Sequence, residues 1–169
     1  PELPDVAIYI DDLGKRIDGA TLTGIRRQNP FLLRSVTPPI GQCFGRRVVA
    51  IRRLGKRIAI GLEGDVWLVL HLMIAGRLHW SDKANDKIPH GKNGLAAFDF
   101  SSGTLILTEA GTKRRASLYV ADGEAELAAH NPGGLEIADA TDVDFRTALF
   151  RENHTLKRTL TDPTLFSGI

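Results

Sequence analysis

The chain has 169 residues and a net charge of +2, and its 43% hydrophobic and 25% charged residues are typical of a globular domain. This composition excludes overall disorder, a collagen and a coiled coil, and no apolar run approaches the roughly 20 residues of a membrane span. The single cysteine, Cys43, excludes an internal disulfide, and no Cys/His spacing indicates a zinc site. The acidic N-terminus lacks a signal-peptide pattern, so the cytoplasm is the expected compartment.

The first predicted element is a helix over Leu3–Ile17, because apolar residues recur there at three- and four-residue steps. A period of two then predicts eight short strands separated by turn residues. Their predicted ranges are Thr21–Gln28, Arg46–Leu54, Arg57–Glu63, Val66–Met73, Arg77–Trp80, Leu95–Phe100, Thr104–Thr108 and Ala116–Val120. The polar stretch Ser81–Gly94 is expected to be a mobile surface loop.

Helical patterns return after the strands, at Glu124–His130, Asp142–Glu152 and Thr155–Leu160. We therefore expect a mainly β fold with flanking helices: an eight-stranded antiparallel β-sandwich, the N-terminal helix packed on it, and a helical C-terminal part. The predicted boundary separates a domain of residues 1–122 from a helical region of residues 123–169.

Charge is segregated along the chain. Between Gly19 and Leu62 there are nine Arg and Lys residues and no acid, whereas eight acids lie between Leu118 and Glu152. Such a distribution favours a positive face that binds a polyanion such as nucleic acid. The alternative is that these arginines form the solvated side of a half-exposed sheet.

The first two residues indicate a possible reaction centre. An α-amino group titrates near ~7.7–8.0, so part of the secondary amine of Pro1 is neutral and nucleophilic near neutral pH. Such an amine attacks an aldehyde carbon to form an iminium ion, an electron sink, and the adjacent Glu2 can transfer protons. The alternative is that proline is first only because an initiator methionine is routinely removed before it.

Four segments carry a family resemblance, and they occur in the family's order. They are Pro1-Glu2-Leu3-Pro4-Asp5-Val6, Arg52-Arg53-Leu54-Gly55-Lys56-Arg57, His71-Leu72-Met73-Ile74-Ala75-Gly76, and Asn153–Arg158 leading into Leu165–Ile169. They resemble the opening, the basic strand-turn-strand, the His-Leu-x-Met-Ser/Thr-Gly motif and the helix-two-turn-helix lead-in of the formamidopyrimidine-DNA glycosylase family (Fpg, MutM and Nei).

The resemblance implies a bifunctional DNA glycosylase and abasic-site lyase that excises oxidised bases in base excision repair through a Schiff base on Pro1. Pro1 would attack C1′, Glu2 would assist ring opening, and Lys56 would hold a phosphate. The implied partner is double-stranded DNA with an oxidised base or an abasic site, whose target nucleotide leaves the stack. The chain is expected to act as a monomer in the bacterial cytosol and nucleoid, without a cofactor, since the family's zinc finger belongs to a further C-terminal region.

The resemblance also implies a set of DNA-binding residues. They are Lys56, Arg53, Arg57, His71, Ile74, Met73, Lys113, Arg114 and Arg115. His71 either contacts DNA or is a core histidine. Any one of the three consecutive basic residues Lys113, Arg114 and Arg115 is a candidate to fill the void left by the flipped base.

Three departures from the family pattern stand out. Asp5 replaces the usual glutamate. The position of the family's wedge methionine holds Ile74, so the alignment favours Ile74 as the wedge. If the strand continues, alternation places Met73 on the opposite face, and only one of the two can serve. The alternative is that both residues lie in the core. The family's Asp-Pro-Arg-Arg-Phe-Gly loop is replaced by residues 108–116, in which no aromatic follows the basic pair.

Two other functions compete with the glycosylase hypothesis. The chain ends at Ser167-Gly168-Ile169, before the Gly-Asn that the resemblance predicts, so it is alternatively a DNA-binding fragment without turnover, and we expect weak activity in isolation. A tautomerase with Pro1 as general base is the enzymatic alternative. The choice between oxidised purines and oxidised pyrimidines stays open.

Overall fold

The computed structural model describes residues 1–88 and 91–169. Helix α1 runs from Leu3 to Ile17, as predicted, and buries Val6, Leu13 and Ile17. The backbone N–H of Glu2 donates to Asp5 Oδ2 at 3.0 Å, which satisfies a donor at the start of the helix. The helix therefore begins directly after the chain's second residue and holds the N-terminus in a fixed place.

All eight predicted strands are present, antiparallel, with ends that differ from the prediction by at most two residues. They are β1 (Thr21–Arg27), β2 (Arg46–Leu54), β3 (Arg57–Leu62), β4 (Val66–His71), β5 (Gly76–Ser81), β6 (Gly94–Phe100), β7 (Gly103–Glu109) and β8 (Ser117–Asp122). Their order in the sheet is β5-β7-β6-β1-β2-β3-β4-β8. The prediction of eight antiparallel strands is confirmed.

The sheet divides where β1 meets β2, because these two strands pair only at Thr21–Arg47 and Leu22–Arg46. Four strands lie on each side of this short pairing and form the two sheets of a sandwich. Buried residues of both sheets share one core, which contains Phe98 and Leu107 from one sheet and Ile60 and Leu70 from the other. Helix α1 contributes to the same core. The predicted sandwich with a packed N-terminal helix is confirmed.

The chain after β8 is helical and folds back towards the N-terminus. Helices α2 (Gly123–Ala128), α3 (Asp142–Leu149) and α4 (Leu156–Thr161) are each close to a predicted helix. Ala148, Leu165 and Phe166 form a small core of their own. The N–H of Leu3 donates to the carbonyl of Gly168 at 2.9 Å, which joins the last residues to the first helix.

The predicted loop 81–94 is shorter in the structure than in the prediction. Strand β5 extends to Ser81, and Gly91–Asn93 form a 3₁₀ turn. Pro89 and His90 of this segment lie outside the described residues. No helix in the described ranges combines the length and the apolar character that crossing a membrane requires.

Candidate active site

A cavity of about 590 Å³ opens where the N-terminus, the β2–β3 turn, the end of β4 and the C-terminal segment meet. Seven predicted site residues line it: Pro1, Glu2, Lys56, Arg57, His71, Met73 and Ile74. The structure does not bring Arg53, Lys113, Arg114 or Arg115 into this lining. Four segments far apart in sequence thus place an amine, a carboxyl group and two basic side chains around one space.

Pro1 is half-buried at the cavity, and its amine has a pKa below the ordinary value of 8.0. Partial burial is the largest cause, since desolvation penalises the charged amine, and the positive charges of Arg77 and Lys56 act in the same direction. The carboxylates of Asp5 and Glu2 oppose the shift. The net result is a larger fraction of neutral, nucleophilic amine near neutral pH.

This pKa can be tested by an NMR titration of Pro1. We expect a midpoint below 8.0 in the wild-type chain and a higher one in Arg77→Gln, because removing the cation stabilises the protonated amine. At any pH between the two midpoints, the variant would therefore carry less neutral amine. Arg47→Gln, which removes an exposed cation outside the cavity lining, should match the wild type. An unchanged midpoint in Arg77→Gln would contradict this electrostatic account.

The turn between β2 and β3 delivers Lys56 to the cavity. Leu54 pairs with Arg57, so only Gly55 and Lys56 form the hairpin loop. Gly55 has a φ of +62°, which glycine adopts without strain and which a two-residue hairpin favours at its first position. Lys56 is half-buried and lines the same space as Pro1.

Arg57 and His71 are paired residues on neighbouring strands at the cavity wall. The guanidinium Nη1 of Arg57 donates to the carbonyl of His130 at 2.8 Å, and its buried Nε has no partner among the described residues. Burial lowers the pKa of His71 to about 4, helped by the charges of Arg57, Lys56 and the N-terminus. His71 is therefore neutral near pH 7 and lies at the cavity wall rather than inside the core.

The predicted strand Val66–Met73 is two residues too long, because β4 ends at His71. The alternation that would place Met73 and Ile74 on opposite faces of a continuing strand therefore does not apply. The next residues form a turn in which Met73 has a φ of +57° and the Gly76 N–H donates to the Leu72 carbonyl at 2.9 Å. A Cβ at Gly76 would lie 2.2 Å from that carbonyl oxygen, so this turn requires glycine. Neither Met73 nor Ile74 is in the core, and both line the cavity; Ile74 is 78% exposed.

Arg53 points towards the C-terminal segment. Its guanidinium pairs with Glu136, and Nη1 donates to the Gly55 carbonyl at 2.8 Å and to Ser167 Oγ at 3.3 Å. Its predicted contact with DNA competes with three bonds that its guanidinium already makes inside the protein. Arg53 thus links the hairpin that carries Lys56 to the C-terminal segment, whose last two residues line the cavity, and its contact with DNA stays a prediction.

The basic loop 110–116 lies outside the cavity lining and is held by Glu109, whose side chain no sequence pattern singled out. This residue is only 1% exposed, and its carboxylate accepts the backbone N–H groups of Arg115 and Ala116, each at 2.7 Å. Arg114 donates to the carbonyls of Glu109 and Lys92. Lys113 and Arg115 therefore belong to a loop that is fixed by a buried carboxylate.

The C-terminal wall of the cavity was also missed by sequence reasoning. It comprises Ala129, His130, Asn131, Pro132, Thr161, Pro163, Thr164, Gly168 and Ile169. Apart from Gly168 and Ile169, which belong to the fourth family segment, these residues carry no motif, and only the folding of the chain onto the N-terminus brings them to the cavity. Within residues 1–88 and 91–169, no group of three or more His, Cys, Asp or Glu residues is placed to hold a metal ion.

Comparisons with known proteins agree on one family. The sequence profile described as formamidopyrimidine-DNA glycosylase N-terminal domain matches residues 1–116. The formamidopyrimidine-DNA glycosylase of Heliobacterium modesticaldum is 30% identical over 178 residues, covering 100% of this chain and 63% of the relative. That of Variovorax paradoxus is 32% identical over 166 residues, covering 95% of this chain and 58% of the relative.

Solved structures show the same similarity. MutM in complex with carbocyclic 8-oxo-G containing DNA superposes with a TM-score of 0.85 at 25% identity, covering 100% of this chain and 63% of that one. The Lactococcus lactis Fpg bound to abasic-site DNA has a TM-score of 0.85 at 23% identity, covering 100% and 63%, which supports the fold. The chain thus spans about 60% of the length of the curated relatives it matches.

Proposed function

Since the chain belongs to the formamidopyrimidine-DNA glycosylase family and carries its N-terminal domain, we propose that it removes oxidised bases from double-stranded DNA and cleaves abasic sites. One observation carries the proposal: the Pro1 amine, with its lowered pKa, shares a cavity with Glu2 and Lys56. A nucleophile, a proton-transfer group and a phosphate-binding cation are the groups that this chemistry needs. The proposal takes Pro1 as the first residue of the mature chain.

In the first stage, the neutral Pro1 nitrogen attacks C1′ of the flipped nucleotide. The C1′–N bond to Pro1 forms, the bond from C1′ to the base breaks, and the base leaves with a proton. Glu2 then protonates the ring oxygen as the C1′–O4′ bond breaks and the nitrogen lone pair forms an iminium ion. Because the amine is secondary, this iminium keeps its positive charge and needs no further proton.

In the second stage, the iminium acts as the electron sink for strand cleavage. A proton leaves C2′, the electron pair forms a double bond to C3′, and the C3′–O bond breaks with the phosphate as leaving group. Water then hydrolyses the iminium and regenerates Pro1. Lys56 neutralises a phosphate during these steps, and Arg57 and the neutral His71 offer hydrogen bonds beside it.

We also propose the predicted division at residues 122 and 123, with residues 1–122 as the catalytic sandwich and 123–169 as the start of a helix-two-turn-helix region. The small core of Ala148, Leu165 and Phe166, which is separate from the core of the sandwich, supports this division. The proposed partner is DNA with an oxidised base or an abasic site, which the chain would bind as a monomer. The relatives are bacterial proteins, so we propose the bacterial cytosol as the place of action.

The test is borohydride trapping on a duplex that contains an abasic site. We expect a covalent adduct that peptide mass spectrometry maps to Pro1, together with incision of at least one oxidised-base duplex. In a control chain with one extra residue before Pro1 the Pro1 nitrogen becomes an amide, so no adduct should map to Pro1. A well-folded wild-type chain that binds the duplex but forms no adduct would instead support the DNA-binding fragment, and turnover of an enol acid without DNA binding would support the tautomerase.

A further inference from the structure

Phe31 is a bulky aromatic side chain left in solvent on a basic surface. It is 76% exposed and borders a depression that Lys92 and Arg114 also line. Arg34 lies three residues further along the chain. Lys92, Arg114 and Arg34 give this surface positive charge, which favours a polyanionic partner. We refer to Phe31, Arg34, Lys92 and Arg114 as the Phe31 surface.

The backbone holds Phe31 in this position. Its N–H donates to Asn29 Oδ1 at 2.9 Å, and its carbonyl accepts Arg34 Nε at 2.6 Å. The next residue, Leu32, is 1% exposed and anchors the segment in the core. The ring is therefore presented by a fixed turn, so little backbone ordering opposes a contact with a partner.

The Phe31 surface lies at the same end of the sheet as the active-site cavity. Arg57, His71 and Ser117 form one row across β3, β4 and β8. The Leu118 N–H donates to the Leu32 carbonyl at 2.9 Å, which extends the row by one more chain segment. The segment around Leu32 lies two strand spacings from His71, and each spacing is about 5 Å. This separation corresponds to about three base-pair steps along DNA.

We propose that Phe31 is an aromatic DNA contact, with its ring packed on a base within about three base-pair steps of the lesion. This inference rests on the proposed function. Aromatic rings beside cations bind exposed bases through stacking, while the cations hold the phosphates. The basic loop 110–116 carries no aromatic residue, and Phe31 supplies one beside Arg114, from a different part of the chain.

The experiment compares Phe31→Ala and Phe31→Trp in the full 169-residue chain. The probe is a duplex with a tetrahydrofuran abasic analogue and 2-aminopurine placed in turn at each position within about three base-pair steps on either side of it. We expect Phe31→Ala to weaken binding roughly tenfold, the effect of removing one stacked base, and to abolish the change in 2-aminopurine fluorescence on binding. Phe31→Trp should stay within about threefold of the wild type, because its ring also stacks.

Phe150→Ala is the matched control. Phe150 is 78% exposed, like Phe31, but lies in the acidic segment at the end of α3. Phe150→Ala should leave the affinity for the duplex unchanged. The inference is overturned if Phe31→Ala binds as tightly as the wild type, if Phe150→Ala weakens binding as much, or if Phe31→Trp binds as weakly as Phe31→Ala. A wild-type chain that forms no adduct, yet depends on Phe31 for binding, would overturn the proposed chemistry and support the contact.

Discussion

Glu2→Gln is expected to lower excision of an oxidised base by about 10²–10⁴-fold, the usual contribution of a positioned general acid or base. Adduct formation at a preformed abasic site should remain within about tenfold of the wild type. The two reactions differ because only excision requires ring opening of an intact nucleotide. An abasic sugar already opens to an aldehyde in water and presents a carbon that the Pro1 amine attacks directly.

Glu2→Gln should remove the proton-transfer group without disturbing the backbone around it. Glu2 precedes the first residue of α1 and lines the cavity, and its backbone N–H donates to the side chain of Asp5, which the substitution leaves in place. Glutamine has nearly the same shape and keeps a carbonyl oxygen, but it neither donates nor accepts a proton near neutral pH. The geometry around Pro1 should therefore persist while the proton-transfer group is removed.

Pro1→Gly provides the contrast, since both excision and trapping should fall, by about 100-fold for a displaced nucleophile. Glycine frees the backbone, and its primary amine gives an imine that must be protonated before it accepts electrons. Borohydride trapping and incision assays, with thermal melts to verify folding, measure both activities in each variant. Equal loss of trapping in Glu2→Gln and Pro1→Gly would show that Glu2 does not act specifically in ring opening.

The residues in this comparison were predictable because their signals are local. The apolar stripe of Leu3–Ile17 and the period of two in the strands depend only on neighbouring residues, and both patterns match the structure. The Gly55-Lys56 turn is equally local, since a two-residue hairpin places its loop at one end of the sheet. The family resemblance predicts that Pro1, Glu2 and Lys56 belong to one site, and all three line the same cavity.

The errors and omissions have two causes: a local turn that ends a strand, and partners that are distant in the chain. Alternation along β4 predicted opposite faces for Met73 and Ile74, but the tight turn that closes at Gly76 ends the strand first. Arg53 sits in a basic motif, yet Glu136 binds it from a segment more than eighty residues away in the chain. No window of sequence contains both partners, so periodicity and composition cannot reveal that ion pair.

Glu109 is the strongest example of such a hidden role, and it leads to the second large prediction. Its carboxylate accepts two backbone N–H groups at the end of the basic loop, from Arg115 and Ala116. In Glu109→Ala both donors lose their partner, the buried N–H of Ala116 and the partly buried N–H of Arg115. An unsatisfied buried group costs about 1–3 kcal/mol, and a partly buried one costs less. We expect the free energy of unfolding to fall by about 2–5 kcal/mol, measured by urea denaturation.

Glu63→Ala is the matched control. The carboxylate of Glu63 also accepts a backbone N–H, that of Arg47 at 2.9 Å, but Glu63 is exposed. Water can replace the missing partner at an exposed site, so the free energy of unfolding of this variant should fall much less than that of Glu109→Ala. Similar decreases in the two variants would show that burial is not what makes Glu109 important.

The functional consequence concerns the cations that the loop presents. With the carboxylate removed, Lys113 and Arg115 are no longer held in place, so they neutralise fewer phosphates in the complex with DNA. The slope of log affinity against log salt should then become shallower by about one unit for each phosphate that is no longer neutralised. Glu109→Gln keeps one acceptor oxygen and turns an amide N–H₂ towards the second donor, so its decrease in stability should be intermediate. An unchanged salt slope in a folded Glu109→Ala chain would mean that loop 110–116 does not bind DNA.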